Sequence, residues 1–203
     1  RAFQVHVHGH AQLGLMLATL ERMGELDNTI VVVTSDNGMP FPRAKANLYE
    51  YGTHVPLAVR WPQRVKAGAV RDHLVSFTDL APTFLEAAGI QPPDTMTGRS
   101  FLSVVTADPG AVPAPVREFV LTGRERHTHA RYDNLGYPAR AIRTDAYLYI
   151  QNFKPDRWPA GDPEAYHDID ESPSKSLLLE HREEYRKYFD LAVAKRPDAE
   201  LFA

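Results

Sequence analysis

An α/β fold that gives way to a smaller antiparallel part is what the sequence predicts. An amphipathic helical stretch is followed, after a short turn, by the apolar run Ile30-Val31-Val32-Val33. Helix followed by an unbroken apolar strand is typical of a parallel sheet covered by helices on both faces. A second strand and helix pair, "VPLAVRWP" (55–62) and "FTDLAPTFLEAAGI" (77–90), repeats the pattern. Beyond a stretch rich in proline and alanine at 104–116, residues 139–153 switch to the two-residue alternation of a β-hairpin.

The elements follow in order. Between His10 and Glu25, Leu13, Met16, Leu17 and Leu20 recur at i, i+3, i+4 and i+7 with polar residues between them, which predicts a helix ending near Gly24. Asp27-Asn28 makes a turn into the strand. The helix over 77–90 takes Thr78 or Asp79 as its cap, tolerates Pro82 in its first turn and closes at Gly89, with Leu80, Phe84, Leu85 and Ala88 as its apolar face. "TADPGAVPAP" is expected to be a linker, "REFVLT" (117–122) a strand, and "ARAIRTDAYLYIQNF" (139–153) a hairpin about Asp145-Ala146. Residues 154–176 are a loop by composition, and 177–195 predict a final helix. The domain expectation is an α/β part at 1–111 and a smaller part at 112–203.

Composition excludes several classes. A chain of 203 residues with 43% hydrophobic content can bury a core, and a net charge of −3 argues against a general nucleic-acid binder. There is no cysteine, hence no disulfide or thiolate metal site, and no apolar run of membrane-spanning length. Oligomerisation is left open.

The chemistry is expected where the first strand ends. Open α/β sheets place ligands beyond the carboxyl ends of their strands, where Asp36 and Asn37 fall. A carboxylate beside an amide carbonyl offers hard oxygen donors suited to calcium or magnesium rather than zinc or copper. Gly38 allows a sharp turn, Pro40 and Pro42 restrict the loop, and Lys45 brings a compact positive charge suited to sulfate or phosphate. An ordinary surface turn with a solvated lysine has the same residues, so spacing alone leaves both readings open.

"NTIVVVTSDNG", Lys45 and "LYEYGTHVPLAVRWP" together resemble the sulfatase family, the formylglycine-dependent branch of the alkaline-phosphatase-like superfamily. That family ends a strand in Ser-Asp-His/Asn-Gly and places a Lys or Arg ahead of a Tyr-Glu-x-Gly-x-x-x-Pro segment, here Tyr49, Glu50, Gly52 and Pro56. "FTDLAPTFLEAAGI" and "MTGRSFLSVV" resemble its downstream patterns, so the likeness runs along most of the chain. "SDNGMPFP" and "GRERHTH…YPARAIRTDAYLYIQNF" are most similar to the sulfamidase, or heparan N-sulfatase, branch.

The resemblance implies the carboxyl-terminal part of a sulfatase fold, with 1–111 the end of the large α/β domain and 112–203 an incomplete antiparallel subdomain. It implies Asp36 and Asn37 as calcium ligands (magnesium being the weaker choice) and Lys45 as a catalytic, sulfate-binding residue. The nucleophile, a formylglycine made from Cys or Ser, would lie upstream with the remaining metal ligands. The substrate would be a sulfated glycan, with N-sulfoglucosamine of heparan-type chains as the specific expectation, and the location periplasmic, secreted or lysosomal. A phosphonate monoester or phosphodiester hydrolase, or a non-catalytic glycan-binding relative, would share the strand end. His127 and His129 are expected substrate contacts in a segment holding Arg124, Arg126, Arg131, Arg140 and Arg143, a candidate groove for an anionic polymer. His6, His8 and His10 alternate on a segment taken as extended, where they are expected to be solvated or capping rather than zinc ligands. His10 also departs from the Asp usual there in sulfatases.

Overall fold

The computed structural model describes residues 2–203, with side chains from His10 onward. Helix α1 spans Ala2–Arg22 and stops where expected. Gly24, at φ 73°, donates to Glu21 O, and Glu25 N bonds Leu20 O at 2.9 Å, so a left-handed glycine closes the last turn. The segment holding the three histidines is helical, not extended. The side chains of His6 and His8 lie outside the described residues, and His10 is exposed.

Strands β1 (Val31–Thr34) and β2 (Leu57–Arg60) form a two-stranded sheet, with Val32 opposite Val59 and Val33 opposite Ala58. The pairing is antiparallel, and this corrects the doubly covered parallel strand that the apolar run suggested. Val33 is 40% exposed and Leu57 37%, because the chain from 35 to 56 folds back so that β2 returns alongside β1 and the described residues leave these side chains uncovered. A single turn, α2 (Glu50–Thr53), lies within that return.

Helix α3 (Leu80–Ala87) is preceded by a short 3₁₀ turn whose cap is Ser76, one turn earlier than expected. Gly89, at φ 74°, and the bond from Ile90 N to Leu85 O repeat the closure of α1. Only part of the expected apolar face packs: Leu80 and Leu85 are half-buried, Phe84 and Ala88 are exposed, and the buried residues are Pro82 and Thr83. The reason is Asp79, which is fully buried and organises its surroundings. Its carboxylate accepts from Ser76 N (2.8 Å), Arg99 N (2.8 Å) and the Arg117 guanidinium. Thr83 Oγ1 donates to Asp79 O and accepts from Phe101 N, so the polar side of the helix faces inward.

The linker is partly ordered. Helix α4 (Leu102–Thr106) takes its first residues, and arginines hold the rest. Arg71 donates to the carbonyls of Val104, Ala107, Asp108 and Pro109, Arg99 to Val116 O, and Arg117 reaches back to Asp79.

The second sheet is antiparallel throughout, in the order β3 (Val120–Arg124), β4 (Ala139–Arg143), β5 (Leu148–Asn152) and β6 (Ala199–Phe202). The hairpin at Asp145-Ala146 forms as expected. Its inward residues Ala139, Ala141, Leu148 and Ile150 pack with Leu48 and Tyr49 in one buried cluster. A second cluster joins Ala160, Tyr166, Ile169, Ala192 and Val193. The expected last helix is two helices, α5 (Pro173–Glu180), capped by Ser172, and α6 (Arg186–Val193). Strand β6, built from the terminal "AELF", has no counterpart in the sequence expectations.

Candidate active site

Just beyond β1, Ser35 Oγ donates to Asn37 O at 2.8 Å and fixes a tight exit. Asp36 is exposed and Asn37 half-buried. Gly38 is needed here for close approach rather than for an unusual φ. A Cβ would lie 2.0 Å from Tyr51 O, and Gly38 N donates to Gly52 O. Gly52 is equally tight, since its Cβ would meet Asn47 O at 2.3 Å and Ala44 O at 2.5 Å. The two glycines let the strand exit and the α2 turn touch backbone to backbone.

The loop between them carries Lys45. Its amide donates to Met39 O, and residues on either side of it, Arg43 (φ 64°) and Ala46 (φ 62°), adopt the left-handed region. Non-glycine residues there cost on the order of 1 kcal/mol each and persist when surroundings hold them. Here Ala44, Leu48 and Tyr49 are buried, and the Arg43 guanidinium lies 3.7 Å from the Tyr49 ring centroid. Tyr49 Oη donates to Glu200 at 2.9 Å. Burial pushes the Tyr49 hydroxyl up to about 12, with Arg196 opposing and Glu200 reinforcing that shift.

One short stretch, Asp168-Ile169-Asp170, binds Lys45 and lies beside the expected substrate histidine His127. Lys45 Nζ donates to Asp170 Oδ2 at 2.8 Å. Asp168, 2% exposed, receives Arg124 at 2.5 Å and Arg131 at 2.6 Å on its Oδ2. His127 Nδ1 stands 3.4 Å from its Oδ1, an oxygen with no aligned hydrogen bond among the described residues. Burial lowers the Arg124 pKa from the usual guanidinium value, and the Asp168 charge works against that. Ile169 sits in the second core cluster, and its carbonyl accepts from the buried Lys175 at 3.0 Å. The stretch is therefore anchored on several sides. His129 is exposed, and the structure gives it no contact with Lys45.

The arginine-rich segment is not an open cationic groove. Arg124 and Arg131 serve Asp168, Arg140 pairs with Glu125, and Arg143 Nη2 lies 3.5 Å from Glu50 Oε2. Arg126 is exposed. Sequence reasoning missed Asp168 and Asp170 because they lie in a stretch classed as loop. The available signal was the alternation of two acids about an apolar residue, "DID".

A divalent cation is testable against the donors present. Asp36 and Asn37 offer the hard oxygens such an ion prefers, but calcium takes six to eight. No group of three or more His, Cys, Asp or Glu side chains that could hold a metal occurs among the described residues. The donor type fits such an ion, but two donors alone do not make a coordination shell.

The family model described as N-sulphoglucosamine sulphohydrolase, C-terminal, matches residues 43–180. The human N-sulphoglucosamine sulphohydrolase is 41% identical over 150 residues, covering 69% of this chain and 28% of that protein. An N-acetylglucosamine-6-O-sulfatase of Bacteroides thetaiotaomicron is 33% identical over 176 residues, covering 84% and 28% respectively. A solved structure described as a complex with its substrate D-glucosamine-2-N,6-O-disulfate superposes with a TM-score of 0.60 at 27% identity, covering 87% of this chain and 36% of that one. The chain thus spans about a quarter of the length of the curated relatives it matches.

Proposed function

The chain belongs to the N-sulphoglucosamine sulphohydrolase family, within the sulfatases of alkaline-phosphatase-like fold, and from that premise we propose that it supplies the carboxyl-terminal side of an active site that removes sulfate from glucosamine. The bond broken would be the sulfamate of N-sulfoglucosamine in a heparan-type glycan. The observation that carries this reading is Lys45. Its ammonium is held at a fixed position, half-buried, by a loop that leaves the same strand end as Asp36 and Asn37.

The chemistry follows from charge. When sulfur is attacked, negative charge grows on the sulfate oxygens and on the leaving nitrogen. A preorganised ammonium beside those oxygens is worth more in the transition state than in the ground state. In this proposal Lys45 binds one sulfate oxygen, and His127, leaning on Asp168, contacts the sugar, with His129 further along the same rim. Asp36 and Asn37 hold calcium in preference to magnesium, and the cation, when bound, neutralises sulfate charge. The formylglycine nucleophile and the remaining ligands belong to other parts of the enzyme. Residues 1–111 would complete the large domain and 112–203 would form most of the smaller one. A sulfated glycan or small sulfated sugar as partner, and a periplasmic, secreted or lysosomal setting, accompany the same proposal. Among the described residues no helix is long and apolar enough to cross a membrane.

The test is turnover by the full-length polypeptide carrying this chain. Sulfate release from N-sulfoglucosamine, with none from 6-O-sulfated N-acetylglucosamine, is the expected outcome. The opposite selectivity would favour the second reading, a 6-O-sulfatase, which the 33% identical Bacteroides relative supports over 84% of the chain. Lys45→Ala should lower kcat by roughly a hundredfold or more while leaving the circular dichroism spectrum unchanged. Near-normal turnover would remove Lys45 from the site.

A further inference from the structure

Asp170 has no role in the chemistry described so far, yet it is the group that touches Lys45. Only one of its two oxygens is engaged among the described residues: Oδ2 takes the Lys45 ammonium at 2.8 Å, and Oδ1 has no partner. The pair is neither sealed nor fully solvated, with side-chain exposures of 29% for Lys45 and 33% for Asp170. A ligand can therefore reach it, and a hydrogen bond made there keeps much of its strength.

The carboxylate is also rigidly presented. Its neighbour Asp168 is fixed by two guanidiniums, the side chain of Ile169 is in a core cluster, and the Ile169 carbonyl is bonded by Lys175. Lys175 is itself 3% exposed and bonded to Glu171 at 2.6 Å. So much support for a loop carboxylate exceeds what an ordinary surface ion pair with lysine requires.

A bare carboxylate oxygen beside the cation that holds a sulfate poses a chemical question to whatever is attached to that sulfate. A sulfate ester presents a bridging oxygen, which can only accept a hydrogen bond and is repelled by the carboxylate. A sulfamate presents an N–H, which donates. Building on the proposed function, we infer that Asp170 is a specificity-determining residue. Its free oxygen accepts the N–H of a sulfamate while its other oxygen keeps Lys45 on the sulfonate group, so the Lys45–Asp170 pair reads N-linked against O-linked sulfate. A charge-assisted hydrogen bond made by one ligand and denied to its isostere is worth about ten- to a hundredfold in binding.

Two isosteric monoanions isolate this difference. N-methylsulfamate and methyl sulfate differ only in N–H against bridging oxygen, and their binding to the full-length polypeptide can be followed calorimetrically without turnover. The parent protein should bind N-methylsulfamate about tenfold more tightly or better. Asp170→Asn should bring the two within about twofold chiefly by weakening N-methylsulfamate, whereas Lys45→Ala should weaken both alike. Equal affinities in the parent, or a preference that survives Asp170→Asn, overturns the inference. So does an equal weakening of both anions by Asp170→Asn, which would reduce Asp170 to a clamp on Lys45. Hydrolysis of N-sulfoglucosamine is scored separately: its absence, with the anion preference intact, overturns the proposed function and leaves Asp170 as a reader of N–H donors.

Discussion

Val33 and Ile150 are both aliphatic residues in antiparallel strands, but Val33 is 40% exposed and Ile150 2%. The same contrast holds between the two sheets. The four-stranded sheet rests on a cluster contributed by its own strands and by Leu48 and Tyr49, and its nearby charges are neutralised in buried pairs. The two-stranded sheet is preceded by α1, whose Leu15 and Met16 are 62% and 58% exposed, and it ends in an open carboxylate, Asp36. Composition does not explain the difference, since "IVVV" is as apolar as any run in the chain. It lies in what covers each sheet. The second sheet is completed by this chain, whereas the first keeps faces that the described residues leave open.

Removing a buried charge from the four-stranded side has the largest expected effect. Asp168→Ala leaves two buried guanidiniums without their carboxylate and should cost about 3–5 kcal/mol in denaturant unfolding. Asp36→Ala, at the exposed strand end, should stay within about 0.5 kcal/mol. Close in size is the paired test of the strands themselves. Ile150→Ala should cost about 2–5 kcal/mol, and Val33→Ala about 0.5 kcal/mol or less in this chain. The Val33 penalty should rise in the full-length polypeptide, and an unchanged value would refute the idea that the first sheet awaits a covering layer.

Gly52→Ala tests the joint between the regions. Its Cβ would meet backbone oxygens at 2.3 and 2.5 Å, which nothing flexible can relieve, so a loss of about 1–3 kcal/mol is expected with Lys45 displaced as well. The smallest effect is alkaline. Tyr49 and Tyr137 are both pushed up to about 12 by burial, so the folded state holds their protons more tightly than the unfolded chain does. That stabilisation is complete below pH 10 and is lost as pH rises towards 12. Tyr49→Phe should flatten part of this decline in a pH series of melting temperatures. A decline as steep as the parent's would mean that other groups carry it.

How much of this was legible in the sequence depended on whether the signal was local. Gly24 and Gly89 marked helix ends because a left-handed residue after a helix is decided within a turn. The hairpin at Asp145-Ala146 was legible for the same reason. The antiparallel partner of β1 was not, because an apolar run states that a strand wants cover without stating which strand lies beside it. The face of α3 was misjudged because Asp79, expected only to cap, recruits Arg99 and Arg117 from far along the chain and turns the polar side inward. For the candidate site, spacing and family resemblance point to Asp36, Asn37 and Lys45. Asp168 and Asp170 were not, since the Lys45 contact with Asp170 spans 125 residues.

The arginines along the loop at 107–116 have one more consequence, for proteolysis. Val112 is 94% exposed, an open target for a protease. Yet Arg71 grips the carbonyls before it, and Arg117 reaches across to Asp79 from beyond it. A single nick there would sever the covalent chain without releasing either piece. The cut protein should run as two bands on a denaturing gel and elute as one species from a native sizing column.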